Sequence, residues 1–149
     1  MNGEVERDRM FFVRRALAVV VGGAFVYAGA LKALNPLLFA TDIGHYQMLT
    51  WPIAVRVAFY LPWLEIFCGL ALIFHRLFFG ALVVTIGLMI AFLIATVTAK
   101  ARGIDITCGC FGSATGNLSF SWHLALDFVL LAILGFLWWK PLSPSPARA

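Results

Sequence analysis

Charged residues are scarce in this chain of 149 residues, where they make up 12 % of the total. A soluble domain usually carries about 25 % charged residues, because it must cover its core with polar surface. Hydrophobic residues reach 62 %, which leaves too little polar surface for a soluble core of this size. The composition therefore argues against a soluble protein and indicates one that is surrounded by a lipid bilayer. The length allows one domain at most.

Cysteine is also rare. The three cysteines Cys68, Cys108 and Cys110 are too few for a disulfide scaffold. The net charge is +4, but the basic residues do not form a stripe interleaved with exposed aromatic residues. Nucleic-acid binding is therefore not expected. No repeat with a solenoid period is present.

Four apolar stretches are long enough to form transmembrane helices, and they cover about residues 12–34, 51–74, 77–99 and 118–139. Within the first stretch, an uncharged run follows Arg14 and Arg15, as the core of a signal peptide would. Because further spans follow it, we interpret this stretch as the first span. The sequence thus predicts an all-α, polytopic membrane protein, with a four-helix bundle as a single domain over residues 1–149. Residues 1–10 are expected to be poorly ordered and the Pro/Ser-rich tail 141–149 to be flexible.

The segment after the first span is too short to cross the membrane again. Asn35-Pro36 stops the first helix, because proline restricts the residue before it and cannot continue the hydrogen-bond ladder. Residues 36–50 mix apolar side chains with Asp42 and His45, which favours a short amphipathic helix at the membrane interface. An ordinary loop is the alternative.

Small residues are expected where the spans pack, because they let helix backbones approach closely. The candidates lie at four-residue spacing: Gly87, Ala91, Ala95 and Ala99 in the third span, and Ala24 and Ala28 in the first.

The distribution of lysine and arginine predicts the orientation. With four spans, both termini share one side, which carries seven of these residues against four on the other side. The positive-inside rule then places both termini in the cytoplasm of a bacterial inner-membrane protein. The loop between the third and fourth spans would face the extracytoplasmic side, where disulfides persist.

That loop contains Cys108 and Cys110 on either side of Gly109. Two cysteines this close can form a disulfide only if the backbone bends, which Gly109 permits and Gly112 assists. Such a small ring is strained, and strained, exposed disulfides tend to exchange. We therefore predict that the pair cycles between dithiol and disulfide.

Three other interpretations of the pair stay open. It could be a static disulfide that braces the loop, or two unlinked thiols. It could also be half of a soft-metal site, with His123 or His45 as the third ligand.

Glu65 lies deep in the second span, and an acid at that depth must be paired, hydrated or protonated. Pro62, three residues earlier, frees the carbonyl of Ala58 and predicts a kink with a local polar spot. Asp127 lies at a comparable depth in the fourth span. Both acids are candidate catalytic residues, and a structural hydrogen-bond anchor is the alternative for Glu65. Cys68, one turn from Glu65, is interpreted as a small buried apolar residue.

We predict that four charged residues of the spans form a cluster inside the bundle, namely Lys32, Arg56, Glu65 and Asp127. They would line a cavity that leads towards the Cys-Gly-Cys loop. Aromatic residues could line it for a quinone-like ring, namely Tyr27, Tyr46, Tyr60, Trp63 and His123. The alternative is that these aromatics form interfacial belts. No cofactor motif is evident, and quinone is the one cofactor that we consider.

Several motifs together resemble one family. They are "YAGALKALNPLLFA", "HYQML", "LPWLEIFCGLAL", "CGCFG" and an aspartate in the last span. They resemble the DoxX-like superfamily, and within it the MauE branch, over about residues 10–140. The motif positions in this chain are Lys32, Tyr46, Pro62, Glu65, Gly69, Cys108, Cys110, Phe111 and Gly112.

The resemblance implies a four-helix membrane bundle with a redox-associated role. MauE is linked to maturation or export of the disulfide-rich small subunit of periplasmic methylamine dehydrogenase, and DoxX-like relatives include a subunit of a thiosulfate:quinone oxidoreductase. We therefore expect a thiol–disulfide protein that assists oxidative maturation of an extracytoplasmic partner. The rival expectations are a non-enzymatic assembly factor or complex subunit, and a transporter of a small solute or soft metal.

Overall fold

The computed structural model describes residues 2–103 and 120–139, and within them the regular secondary structure is entirely α-helical. The tail 141–149 lies outside the described residues. The helices are α1 (Asn2–Leu34), α2 (Pro36–His45), α3 (Trp51–Phe74), α4 (Phe78–Ala101) and α5 (Phe120–Trp139).

The sequence explains where these helices begin and end. Proline occupies the first turn of α2 and of α3, where its missing N–H and fixed φ suit a helix start. The residue His75 ends α3 in the left-handed conformation with φ 58°, and Leu77 precedes α4 with φ 55°. This tight turn makes α3 and α4 a hairpin. The helix α3 continues through the buried Pro62.

Three helices are long and apolar enough to cross a membrane, and they cover Asp8–Leu34, Trp51–Phe74 and Phe78–Ala101. Large apolar side chains such as Val20, Phe67 and Ile94 are exposed on them, as lipid-facing residues are. The described chain is thus an all-α membrane protein. The fourth predicted span falls on α5, but its fully described part, Leu124–Trp139, is shorter than a membrane-crossing helix. A fourth span therefore stays a prediction.

Two expectations about the first third of the chain meet different outcomes. The sequence predicted poor order over residues 1–10, whereas the structure describes residues 2–10 as the start of α1. Extending a helix that already exists costs little, and Glu6 and Arg9 stand at a spacing that supports it. A short helix does follow the first span, as α2, and it packs mainly on α3. Its position at a membrane interface stays a prediction.

The four long helices form a ring in the order α1, α3, α4, α5, in which each helix contacts the next. Within the described residues, neither diagonal pair is in contact at the level of the backbone. The tightest contact is between α1 and α3, where a Cβ on Gly22 would lie 2.6 Å from the carbonyl oxygen of Gly69. A Cβ on Gly69 would meet the carbonyl of Gly22 at the same distance.

The small-residue ladder predicted on the third span does not act as a packing seam along its length. A Cβ on Gly87 would meet nothing within 4 Å. The next two members, Ala91 and Ala95, line a cavity, and only Ala99 is fully buried. The glycines of α1 and α3 provide the close approach instead.

The hydrophobic core lies in the part of the bundle that is nearer the N-terminus. Its buried members are Ala18, Val21, Phe25, Leu72, Ala81, Leu82, Met89, Leu134 and Leu137. Towards the other end, where α1 ends and α3 begins, the interior contains charged side chains and cavities. The candidate site is therefore in that half.

Candidate functional site

A buried ion pair joins α1 and α3. The Lys32 ammonium donates a hydrogen bond to Glu65 Oε1 over 2.6 Å, and the two side chains are 2 % and 1 % exposed. Gly29 makes this possible, because a Cβ there would lie 2.7 Å from the carbonyl oxygen of Pro62. The absence of a side chain at Gly29 lets the two backbones approach, so that the lysine near the end of α1 reaches the acid within α3.

The ion pair borders a small cavity in the bundle interior. Lys32, Glu65 and Asp127 line it together, and Asp127 on α5 is 4 % exposed. The cavity has a volume of about 20 Å³, which is room for about one water molecule. Glu65 Oε2 is buried and has no hydrogen-bond partner within residues 2–103 and 120–139. A bound water would complete the hydrogen bonding of this carboxylate.

A larger cavity of about 290 Å³ lies on the other side of Lys32. Helix α2 and the α2–α3 turn cover it, and α3 and α4 supply the remaining walls. The lining residues include Phe39, Asp42, Tyr46, Met48, Leu61, Phe92 and Thr96. Ala91 also lines it and is exposed, so the cavity is not sealed on the side of α4.

Lys32 and Phe92 belong to the walls of both cavities. The Lys32 ammonium lies 4.6 Å from the centre of the Phe92 ring and 5.3 Å from that of Phe39. Both distances allow cation–π attraction, which together with Glu65 holds the ammonium between the two cavities.

Polar contacts tie the end of α4 to the α2–α3 turn. Arg102 Nη1 donates to the carbonyl oxygen of Gln47 over 3.3 Å. Thr98 Oγ1 donates to a carbonyl oxygen of its own helix and lies 3.5 Å from Met48 Sδ. The large cavity therefore lies at the end of the bundle where α4 leads into residues 104–119.

The structure brings together three of the four polar residues that were predicted to cluster. Arg56 is the exception, because it is exposed and lines neither cavity. Of the aromatic candidates, Tyr46 lines the large cavity. The other described ones face outwards and are more than half exposed: Tyr27, Tyr60 and Trp63.

The remaining predicted positions have packing roles or lie outside the described residues. Pro62 and Gly69 are buried in the α1–α3 contact. Cys68 is a free, buried cysteine. The described residues contain no cluster of three or more metal-ligating side chains. Outside the described residues lie Cys108, Cys110, Phe111 and Gly112, together with the side chain of His123.

Sequence reasoning missed Phe39 and Phe92, which flank the ammonium, and the glycines Gly22 and Gly29. The glycines carry a signal, since they stand seven residues apart in the first span and so share one helix face. The phenylalanines carry none, because the chain contains 14 of them.

A comparison with protein families gives a match over most of the chain. The family described as "Methylamine utilisation protein MauE" matches residues 10–140, a range that includes the ion pair, the cavities and the Cys-Gly-Cys loop. No curated protein and no solved structure matches the chain. Since the match covers nearly the whole sequence, the chain belongs to the MauE family of methylamine utilisation proteins.

Proposed function

We propose that this chain is a membrane thiol–disulfide exchange protein that supports oxidative maturation of an extracytoplasmic partner in methylamine utilisation. The family match over residues 10–140 carries the proposal, because it includes Cys108 and Cys110. The end of α4 supports it, since Gly103, five residues before Cys108, follows a helix whose end borders the large cavity.

The proposed exchange transfers one disulfide to the partner. A thiolate of the reduced partner attacks the Cys108–Cys110 disulfide, and its second thiol then resolves the mixed disulfide. The partner gains the disulfide, while Cys108 and Cys110 return to thiols and hold two electrons and two protons. Turnover therefore requires an acceptor of two electrons and two protons. A quinone, which becomes a quinol, meets this requirement within a bilayer.

The large cavity has the properties of a site for such an acceptor. Its volume of about 290 Å³ lies at the lower end of the range for small-molecule pockets, about 300–1,000 Å³, and suits one ring system. Glu65 already balances the charge of Lys32, so the ammonium can donate to a neutral carbonyl oxygen. The ring of Phe92 and the aliphatic side chain of Leu61 supply apolar walls.

Glu65 and Asp127 are proposed to handle the protons. Both line the small cavity on the inner side of Lys32, and Glu65 Oε2 is free to bond a water there. Proton transfer through one water needs groups within hydrogen-bond reach of it. The arrangement thus places two carboxyl groups next to the proposed acceptor site.

Thiol trapping in intact cells tests the exchange. A membrane-impermeant alkylator should label Cys108 and Cys110 only after reduction of the cells. The variant Cys108→Ser/Cys110→Ser should lose growth on methylamine, whereas Cys68→Ser should keep it. Growth of the double variant at the wild-type rate would contradict exchange and favour a non-enzymatic assembly factor that does not depend on the two cysteines.

Filling the cavity tests the acceptor site. Ala95→Phe places a ring in the large cavity and should slow quinol formation in proteoliposomes that contain the reduced protein and a short-chain quinone. Gly87→Ala lies on the same helix in open space and should have no effect. Equal rates for both variants would contradict a quinone in this cavity.

A further inference from the structure

A third cavity lies between α1 and α5, at the opposite end of the bundle from Lys32. Its volume is about 300 Å³, and it is lined by Met10, Arg14, Gly135, Phe136 and Trp139. It contains none of the residues of the candidate site.

Arg14 is the charged residue that lines this cavity, and it is 5 % exposed. Its Nη2 donates to the carbonyl oxygen of Leu137 over 3.1 Å, and the guanidinium lies 5.6 Å from the centre of the Phe136 ring. Arg14 Nε is buried and has no partner in the described part of the chain, where Arg14 also forms no ion pair. The carbonyl groups at the C-terminal end of α5 act as about half a negative charge, which offsets only part of the positive charge of Arg14. A buried cation is thus left incompletely neutralised.

No acidic side chain within residues 2–103 and 120–139 is paired with it. The sequence after Trp139 contains Lys140 and Arg148 and no acidic residue. The acids at this end with described side chains, Glu6 and Asp8, are exposed. Glu4 precedes Arg14 by ten residues, which is about 15 Å along a helix. Among the described residues, Arg14 therefore has no neutralising anion, and a ligand that carries one would complete the site.

We propose that Arg14 and this cavity bind the phosphate of an anionic phospholipid headgroup. A guanidinium presents planar, paired donors that match phosphate oxygens. Trp139 supplies the amphipathic ring that proteins place at headgroup depth, and Met10 and Phe136 supply walls for the upper acyl chain. This end is predicted to carry seven of the eleven lysine and arginine residues, and such clusters attract anionic lipids. The inference is independent of the proposed thiol chemistry.

Native mass spectrometry of the full chain in detergent tests the site, with phosphatidylglycerol and phosphatidylcholine added in equal amounts. The wild type should retain phosphatidylglycerol in preference to phosphatidylcholine. Arg14→Gln should weaken this retention about fivefold, as expected for the loss of one basic contact. Gly135→Leu should weaken it as well while keeping the charge, because a side chain there points into open space and fills the cavity.

Matched controls separate the site from general effects. Gly87→Leu also adds a side chain in open space but away from the cavity, and Arg9→Gln removes an exposed charge at the same end. Both should retain the lipid as the wild type does. Unchanged retention in Arg14→Gln and Gly135→Leu would overturn the proposal. Displacement of the lipid by millimolar inorganic phosphate would assign the site to free phosphate and overturn the lipid as its source.

Discussion

At the residue scale, the Lys32–Glu65 pair is an expensive element to place in an apolar interior. Removing two charges from water costs several kcal/mol per ion, which their attraction repays only with good geometry. Two apolar residues of similar size would serve packing as well. The cost of the pair is consistent with the proposed role of a fixed ammonium between the two cavities.

Breaking the pair should destabilise the protein more than removing it. We expect Lys32→Met to lower the free energy of unfolding by about 3–5 kcal/mol, because it leaves the Glu65 carboxylate buried without its cation. The double variant Lys32→Met/Glu65→Leu should recover most of this loss. Reversible unfolding in detergent measures both, with the exposed Arg56→Met as control. Equal destabilisation in the single and double variants would contradict the coupling.

His75, in the α3–α4 turn, should make stability depend on pH. Burial first, and then the positive charge of Arg15, lower the pKa of His75 below its ordinary value. The folded state thus favours the neutral ring, and its contribution to stability is present above about pH 6.5 and is lost as the pH falls through the lowered pKa.

The variant His75→Asn tests this dependence, because asparagine does not titrate and tolerates the left-handed backbone at this position. Its unfolding temperature should fall less than that of the wild type between pH 7 and pH 5. His45→Asn is the control. Parallel pH profiles for the wild type and His75→Asn would show that His75 is not the titrating group.

At the scale of elements, the packing of α1 on α3 decides whether the site forms. Gly22 and Gly69 bring the two backbones together, and Gly29 does so next to the ion pair. Association of helices within a bilayer depends on such close packing, since lipid tails are as apolar as side chains.

Adding side chains at these glycines should separate the helices. We expect Gly69→Val to lower the unfolding temperature and to abolish the coupling between Lys32 and Glu65 in a double-mutant cycle, because its Cβ would meet the carbonyl of Gly22 at 2.6 Å. Gly87→Val, where a Cβ meets nothing within 4 Å, should be tolerated. Comparable losses in both variants would refute close packing as the cause.

At the scale of the whole molecule, the two cavities beside Lys32 lie at one end of the bundle, which we name the hollow end, and the cavity beside Arg14 lies between α1 and α5 at the opposite end. The apolar core lies on the side of the N-terminus, whereas the large cavity lies where the α2–α3 turn meets the end of α4. An orientation that puts the hollow end outside the cytoplasm is required for exchange with an extracytoplasmic partner.

Single cysteines in a cysteine-free background should report that orientation. An impermeant maleimide added to intact cells should label Thr50→Cys, which is exposed at the hollow end, and not Arg76→Cys, which is exposed at the other end. Permeabilised cells should show labelling of both. The reverse pattern in intact cells would place Cys108 and Cys110 in the cytosol and contradict the proposed function.

The sequence by itself determined the helices, the membrane class and the family. Hydropathy predicted the apolar helices, and Asn35-Pro36 predicted the end of the first one, because these effects depend on neighbours along the chain. It also singled out Lys32, Glu65 and Asp127, since charges in apolar spans are rare enough to be conspicuous.

Only the tertiary structure decided which residues meet. The angular position of each helix about its axis depends on partners that are distant in sequence, so Gly87 was assigned to a packing seam that Gly22, Gly29 and Gly69 form instead. For the same reason Arg56 lies outside the cluster. The sequence predicted a cavity beside Lys32, but neither its separation into a small and a large space nor the cavity beside Arg14 could be anticipated. A cavity is the space that packing leaves unfilled, and its lining exists only after the helices have docked.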